Sequence, residues 1–324
     1  MAELILGIDG GGTTTKCVAC NLKGEIVGQA TAGPSNHQTI PWERVAKSLT
    51  EAIDESLGEY SKEDVVSICG GMAGVDWPGS ETPVLELFQR LFPQAEAAAV
   101  PDVAIALHAV IEKLPGVIVI SGTGAMGYGE DAEGNEYRAS GWGYLLGDEG
   151  SGYDIGRRGL QAATQAFDGR GLETKLVEYA CEYFEVDGLR DILDIVYGGG
   201  WSPDVMGDFT PYVVKAAAAD DEVSCRILKD GGESLAKVAL SILGQMGALG
   251  DAIPVGLVGG VFTHAGPVLH SRFGEMLKSK APKAEIILSE YPPILGALVM
   301  AHRRYGGVDE RAFRLRVAEG LRKL

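Results

Sequence analysis

Near its amino terminus the chain reads Leu4-Ile5-Leu6-Gly7-Ile8-Asp9-Gly10-Gly11-Gly12-Thr13-Thr14-Thr15-Lys16. The apolar first half is typical of a buried strand. Three consecutive glycines would weaken any strand or helix, but they suit a tight turn whose backbone N–H groups converge on an anion. Asp9 would repel a phosphate unless Mg²⁺ lay between them. We therefore predict a phosphate loop over Gly10–Thr14 with Asp9 as metal ligand; a hairpin turn without a ligand is the alternative.

A similar order of segments occurs twice. The first loop is followed by a strand, a turn and a strand over residues 17–31, and from residue 116 the chain repeats this order around Ser121-Gly122-Thr123-Gly124. We interpret the repeat as a duplicated supersecondary unit. It predicts an α/β protein of two similar domains, 1–115 and 116–324, with the last helices free to pack back on the first domain. Domains facing each other across a cleft would place one phosphate loop on each side.

Composition limits the classes of partner. The 324 residues include 45 acidic and 28 basic side chains, a net charge of −17, which argues against nucleic acid or an anionic membrane. The sequence has no signal-peptide pattern and no long apolar run, so we expect a cytoplasmic protein. The five cysteines are too sparse for a disulfide framework, and Cys17 and Cys20 are expected to be buried on opposite faces of one strand.

Several common motifs fail in context. Residues 122–127 match Gly-x-Gly-x-x-Gly, but they are followed by a turn between strands, whereas a dinucleotide site needs a helix there. The P-loop consensus, zinc-spaced Cys and His residues and the Gly-x-Ser-x-Gly elbow are all missing from the sequence. Phosphoryl transfer from a nucleotide remains, and it needs a metal, phosphate donors and a base for the acceptor.

Other candidates follow from their positions. Asp102 comes after a strand and before a helix, which suits a general base on a hydroxyl or a helix N-cap. Lys16 adds charge to the first loop or is a solvated edge residue. Asp148 would accept hydrogen bonds from sugar hydroxyls or cap a helix. Trp142 would pack on a sugar face or fill the core.

Three further segments are open to two interpretations. In the loop around Asn36 and His37, the asparagine could pair with a polar ligand, whereas a single loop histidine is usually a surface residue. Gly259-Gly260 could approach a base or ribose closely, or serve strand-end packing. The Gly-rich residues 141–159 are typical of a loop that wraps a polar ligand and starts a helix near Ser151. The last residues of the chain indicate a terminal surface helix.

Taken in order, these motifs resemble those of the N-acetylglucosamine kinases, within the benzoyl-CoA-reductase-activator-type ATPases of the actin/hexokinase/Hsp70 fold. The matching pieces are Asp9–Thr13, Ser35-Asn36-His37, Asp102, Ser121–Gly124, Gly141-Trp142-Gly143, Gly147–Ser151 and Val258–Val261. The resemblance implies two ribonuclease-H-like domains hinged around a central cleft. It also implies transfer of the γ-phosphate of ATP to the 6-hydroxyl of an amino sugar.

The resemblance assigns roles by position. It implies ATP contacts from Thr13, from Thr123 and from Gly259, Gly260 and Val261. It implies that Asp102 is the base. The residues that it places on the sugar are Asn36, Gly141, Trp142, Gly143 and Asp148. We add His37, beside Asn36, as a further candidate for the sugar site.

One departure from the family pattern concerns the sugar. Close relatives of the animal enzyme carry Ser-Asn after the second phosphate loop, where this chain has Ala125-Met126. N-acetylglucosamine, glucosamine and N-acetylmuramic acid therefore all stay open as substrates. The Cys-rich motif of the zinc-containing sugar kinases is missing. An ATP-driven activator of a 2-hydroxyacyl-CoA dehydratase or benzoyl-CoA reductase, and a non-catalytic sensor, are the alternatives; a homodimer is one possible assembly.

Overall fold

The computed structural model describes residues 2–324 and divides into two compact units. The first unit contains the residues up to 112 together with 290–324, and the second contains residues 113–289. None of the helices in residues 2–324 has the length and apolar character that a bilayer crossing requires.

Each unit is built on one five-stranded sheet. The strands of the first are β1 (Leu4–Gly10), β2 (Thr15–Asn21), β3 (Ile26–Ala32), β4 (Val65–Met72) and β5 (Glu96–Pro101). Those of the second are β6 (Gly116–Ser121), β7 (Ala125–Glu130), β8 (Glu136–Ser140), β9 (Pro254–Val258) and β10 (Glu285–Leu288). The described helices are α1 (Trp42–Leu57), α2 (Thr82–Leu91), α3 (Asp102–Val110), α4 (Gly152–Phe167), α5 (Leu176–Phe184), α6 (Ile192–Ile195), α7 (Pro203–Gly207), α8 (Thr210–Ala218), α9 (Glu222–Gln245), α10 (Gly260–His264), α11 (Gly266–Lys280), α12 (Ile294–Arg304) and α13 (Glu310–Leu321).

The two sheets have the same topology. The strand orders are β3-β2-β1-β4-β5 and β8-β7-β6-β9-β10, with antiparallel pairing on the hairpin side and parallel pairing on the other. In each sheet the Gly- and Thr-containing loop joins the central strand to its antiparallel neighbour. The predicted repeat of strand, loop, strand, turn and strand is thereby confirmed.

Strand β1 shows how the first core is organised. Leu4, Leu6 and Ile8 pack with α1 and α2 on one face of the sheet, while Ile5 packs with α3, α12 and α13 on the other. This alternation follows from the two-residue period of a strand. Helix α12 comes so close that a methyl group at Gly7 would overlap the side chain of Leu298.

Two expectations about smaller features can be compared with the fold. Cys17 and Cys20 are buried and lie in the clusters on opposite faces of the first sheet, as expected. The terminal helix α13 is more than a surface helix, because it buries Phe313, Arg314 and Val317. Its amphipathic pattern therefore marks a packing face in the first unit.

Candidate active site

The carboxyl ends of three parallel strands meet at one edge of the first sheet. Gly10 at the end of β1 is in register with Met72 of β4, which is in register with Pro101 at the end of β5. Ligands of open α/β sheets bind at such edges, because the strand ends and the loops after them expose backbone and polar groups. Asp9, the first Gly loop and Asp102 all belong to this edge.

The first Gly loop is a tight turn held by its neighbours. The N–H of Gly11 donates to the carbonyl of Thr14 at 2.9 Å, and the N–H of Ser35 donates to the carbonyl of Gly11 at 3.0 Å. Thr15 places its buried hydroxyl 2.7 Å from both the Ser35 hydroxyl and the Gly33 carbonyl oxygen. A side chain at Gly10 would overlap Ser35 and Met72. The turn itself, at Gly12–Thr14, is exposed and thus open to an anion.

Asp9 and Asp102 influence each other. Burial, together with the negative charge of Asp102, raises the pKa of Asp9 to about 6, while the charge of Lys16 opposes the shift. Lys16 is exposed and lies opposite Asp9 across the β1–β2 pair. Asp102 is the first residue of α3, whose N-cap is Pro101 with no side-chain cap. The alternative that Asp102 caps this helix is therefore wrong.

Asn36 and His37 lie in the loop anchored by Ser35. The side-chain oxygen of Asn36 accepts the N–H of Gln38 at 2.9 Å, so its amide nitrogen is the group that could donate to a ligand. Within residues 2–324, the Nδ1 atom of His37 is buried without a hydrogen-bond partner. Both side chains lie against Gly74, at the turn after β4. Their contact with a sugar stays a prediction.

The second loop, Ser121–Gly124, lies at the corresponding edge of the other sheet. The Ser121 hydroxyl donates to the carbonyl of Gly150 at 3.0 Å, and the N–H of Gly152 donates to the carbonyl of Gly122 at 2.7 Å. Gly259 has a φ of 104° and packs on the backbone of Ser121, where any side chain would clash. Gly259 thus packs at the strand end, as the alternative expected, and its close approach to a base or ribose stays a prediction.

A cavity of about 290 Å³ brings Gly122 and Thr123 together with Gly260 and Val261. Its other lining residues are Gly152, Gly207, Asp208, Thr210, Pro211, Val214, His264 and Ala265. Sequence reasoning missed this second group. The segment Gly207–Pro211 has the pattern of a turn followed by a helix start, and nothing in that pattern indicates a ligand.

The setting of Asp148 rules out one of its two expected roles, and its contact with sugar hydroxyls stays a prediction. The N-cap of α4 is Ser151, whose hydroxyl accepts the N–H of Asp154, so capping by Asp148 is wrong. Asp148 is buried, has a φ of 63°, and accepts hydrogen bonds from the N–H groups of Ala125 and Gly143. Burial raises its pKa, and these two hydrogen bonds oppose the shift. It fixes the Gly141–Gly147 segment to β7, the strand that follows the second loop.

The segment Gly141–Gly147 exposes apolar side chains. Trp142 is 74% exposed, so the alternative that it fills the core is wrong. Tyr144 contacts the rings of Tyr153 and Trp201, with centroids 5.2 and 5.8 Å away. Met126 lies against Gly141, whose φ of 77° favours glycine. Packing of Trp142 on a sugar stays a prediction.

The later glycines of the Gly-rich stretch pack helices together. Gly152, Gly156 and Gly159 lie on one face of α4, and side chains there would overlap the Gly122 carbonyl, the Met206 carbonyl and Val213. The predicted helix start near Ser151 is confirmed, since Ser151 is the N-cap of α4 and the helix begins at Gly152. Binding of a polar ligand by the preceding loop stays a prediction. The packing on α4 brings α7 to the second loop, Ser121–Gly124, where Asp204 accepts a hydrogen bond from Thr123 at 3.0 Å.

The residues fit a hard divalent cation that is held jointly with a nucleotide. Asp9 and Asp102 are two carboxylates near enough for their charges to interact, which a cation would relieve. The described residues, 2–324, contain no cluster of three or more His, Cys, Asp or Glu side chains suited to a metal. Mg²⁺ is characteristically bound by one or two carboxylates with water and substrate phosphates, which matches this donor set.

Comparison with known proteins gives the family. Residues 6–301 match the BadF/BadG/BcrA/BcrD ATPase family. The chain belongs to this family. It is 33% identical over 301 residues to the N-acetylmuramic acid/N-acetylglucosamine kinase of Clostridium acetobutylicum, covering 92% of this chain and 98% of the relative. It is 29% identical to the N-acetyl-D-glucosamine kinase of Dictyostelium discoideum, with the same coverage.

A solved structure supports the fold. A candidate N-acetylglucosamine kinase from Chromobacterium violaceum aligns over 93% of this chain and 99% of its own, with a TM-score of 0.70 and 24% identity. This likeness and the duplicated sheet topology confirm the predicted α/β fold of the actin/hexokinase type, with two ribonuclease-H-like domains. The stated resemblance is confirmed at the level of the ATPase family, and ATP is the nucleotide expected of its members.

Proposed function

We propose that this chain is an ATP-dependent amino-sugar kinase that phosphorylates the 6-hydroxyl of N-acetylglucosamine or a closely related sugar. The observation that carries the proposal is the match, over nearly the whole of both chains, to a kinase named for N-acetylmuramic acid and N-acetylglucosamine. The geometry supports it, because each sheet presents a Gly- and Thr-containing loop at the end of its central strand.

Asp102 is the proposed general base. The sugar oxygen attacks the γ-phosphorus while its proton passes to the Asp102 carboxylate, and the bond to the β-phosphate oxygen breaks to release ADP. Asp102 begins α3 directly after β5 and is partly buried, so the helix and the sheet both restrain its position. Restraint of this kind aligns a base with its hydroxyl.

The nucleotide is assigned to the two loops and the cavity. Backbone N–H groups of Gly10–Thr14 and of Ser121–Gly124, with the exposed hydroxyls of Thr13, Thr14 and Thr123, would bind phosphate oxygens. The buried Ser121 hydroxyl holds its loop by donating to Gly150. The cavity is partly apolar, through Val261, Val214 and Ala265, and its volume of about 290 Å³ suits the nucleoside part of ATP. Mg²⁺ would be held by Asp9, and it would neutralise charge on the transferring phosphoryl group.

The sugar is assigned to Asn36, His37 and the segment Gly141–Gly143. The amide nitrogen of Asn36 and the unpaired Nδ1 of His37 are hydrogen-bonding groups in one loop. The exposed ring of Trp142 offers an apolar surface for a sugar face. Asp148 is a positioning residue in this proposal, since its carboxylate holds the backbone of Ala125 and Gly143.

An ADP-release assay over a sugar panel tests the proposal. We expect turnover with N-acetylglucosamine, N-acetylmuramic acid or glucosamine, and none with N-acetyl-6-deoxyglucosamine, which lacks the accepting hydroxyl. Asp102→Asn should lower kcat by about 10²–10⁴-fold, the usual contribution of a general base, while calorimetry finds ATP bound nearly as in wild type. Asp54→Asn, which changes a surface carboxylate paired with Lys62, is the matched control and should keep kcat.

Two results would contradict this function. ATP hydrolysis that is indifferent to every sugar would favour the activator of a partner enzyme, and nucleotide binding without ADP release would favour a sensor. A near-normal kcat in Asp102→Asn would be compatible with a kinase but would show that Asp102 is not its general base. Because ATP is the donor, we place the reaction in the cytoplasm. A homodimer stays a prediction that light scattering of the purified protein can decide.

A further inference from the structure

The second phosphate loop carries a negative partner that the proposed function does not use. The hydroxyl of Thr123 donates to a carboxylate oxygen of Asp204 at 3.0 Å, and both residues are exposed. Thr123 also lines the cavity assigned to the nucleotide. A carboxylate beside a phosphate-binding hydroxyl is unexpected, because like charges repel.

The position of Asp204 is fixed by close helix packing. Helix α7 approaches α4 at Gly156, where a side chain would overlap the carbonyl of Met206. The hydroxyl of Thr210 donates to the carbonyl of Gly152 at 2.7 Å and holds the start of α8 on α4 as well. Ser202 caps α7 by accepting the N–H of Val205. Asp204 therefore comes from a segment anchored before and after it.

The hydrogen bond has a direct chemical consequence. A hydroxyl has one proton, and here that proton is given to Asp204. The Thr123 oxygen is left to accept a hydrogen bond or to face a cation, and it cannot donate to a phosphate until the bond to Asp204 is broken. A bare phosphate also meets the negative charge of Asp204, whereas a phosphate that carries Mg²⁺ has much of its charge neutralised.

We propose that Asp204 is a specificity-determining residue that makes the second phosphate loop favour metal-loaded nucleotide over free nucleotide. The inference depends on the proposed function, since it requires nucleotide phosphates at Thr123. In this proposal a carboxylate that belongs to none of the sequence motifs selects between metal-loaded and metal-free nucleotide.

Calorimetry with a non-hydrolysable ATP analogue, in the presence of Mg²⁺ or of EDTA, tests the inference. In wild type we expect the metal-loaded analogue to bind at least tenfold more tightly. Asp204→Asn keeps an oxygen that can accept from Thr123 and removes the charge. It should tighten binding of the metal-free analogue by about tenfold and change binding of the metal-loaded form by less than threefold. Its thermal midpoint is measured alongside to confirm the fold.

Asp208→Asn is the matched comparison, because Asp208 lines the cavity that Thr123 also lines and follows Asp204 by one helical turn. A smaller change in the ratio of the two affinities in Asp208→Asn supports a specific role for Asp204. An unchanged ratio in Asp204→Asn, or an equal change in both variants, overturns the inference while leaving the kinase intact. Wild-type protein that binds neither form would instead refute the proposed function, and the role of Asp204 with it.

Discussion

Asp9 combines a proposed metal site with a cost in stability. Its pKa is raised from the ordinary 3.8 to about 6 by burial and by Asp102. The native state thus holds the proton more tightly than the unfolded chain does. The resulting stabilisation is complete below pH 3.8 and is lost as the pH rises through about 6, so the ionised residue costs about 1–3 kcal/mol in metal-free protein.

We therefore predict that Asp9→Asn raises the free energy of unfolding at pH 8 by about 1–3 kcal/mol without metal or nucleotide, and leaves it nearly unchanged at pH 4. Urea denaturation at the two pH values measures this difference. Asp54→Asn, at an exposed carboxylate, should have little effect at either pH. The variant should also lose kinase activity, since an amide cannot replace the carboxylate that we propose as the metal ligand. A lower free energy of unfolding of Asp9→Asn than of wild type at pH 8 would contradict the destabilising effect assigned to the ionised Asp9.

Individual residues differ in how far sequence alone could place them. Both Gly- and Thr-containing loops were predictable, because such runs directly after apolar strands have few other uses. Asp204 was not, since 81 positions separate it from Thr123 and their contact depends on helix packing. Asp148 looked like a cap because it precedes a helix, but its positive φ and its two backbone partners become known only from the fold.

At the scale of elements, the glycine face of α4 determines how α7 and α8 are seated. A methyl group at Gly156 would overlap the Met206 carbonyl, so the helices would have to separate. Glycine runs in sequence indicate loops and close packing equally well. Close packing can be told from a loop only when the helix is known, because Gly152, Gly156 and Gly159 then lie on one helix face through their spacing of four and three residues.

Gly156→Ala is expected to lower the free energy of unfolding of the second unit by about 2 kcal/mol or more, through overpacking. Gly244→Ala is the matched control, because Gly244 is a helical residue of α9 with nothing near the added methyl group. It should raise stability by about 0.5–1 kcal/mol, as alanine restricts the unfolded chain more than glycine does. Urea titrations of both variants give the comparison, and equal effects of the same sign would refute this use of Gly156.

At the scale of the whole molecule, the first unit is assembled from two distant parts of the sequence. Helix α12 packs on α3 and β1, and the buried Arg314 of α13 donates to carbonyls at the end of α3, including Ala109 at 2.8 Å. The apolar faces of α12 and α13 were visible in the sequence. Their packing on α3 could not be predicted, because hydrophobic periodicity shows that a helix face must be buried but does not show which element buries it. The helix that begins with Asp102 is thus held in place by the last residues of the chain.

Arg314→Met should therefore loosen the first unit and leave the second unchanged. Removing the guanidinium leaves the carbonyls of His108, Ala109 and Ile111 without this buried donor, at a cost of about 2–4 kcal/mol. Arg316→Met, which breaks an exposed ion pair with Glu25, should cost less than about 1 kcal/mol. Hydrogen exchange reports each unit separately: protection should fall in α3 and α13 and persist in α9. Equal loss in α9 would mean that Arg314 stabilises the chain as a whole, and unchanged protection in α3 would show that this helix is held by apolar packing alone.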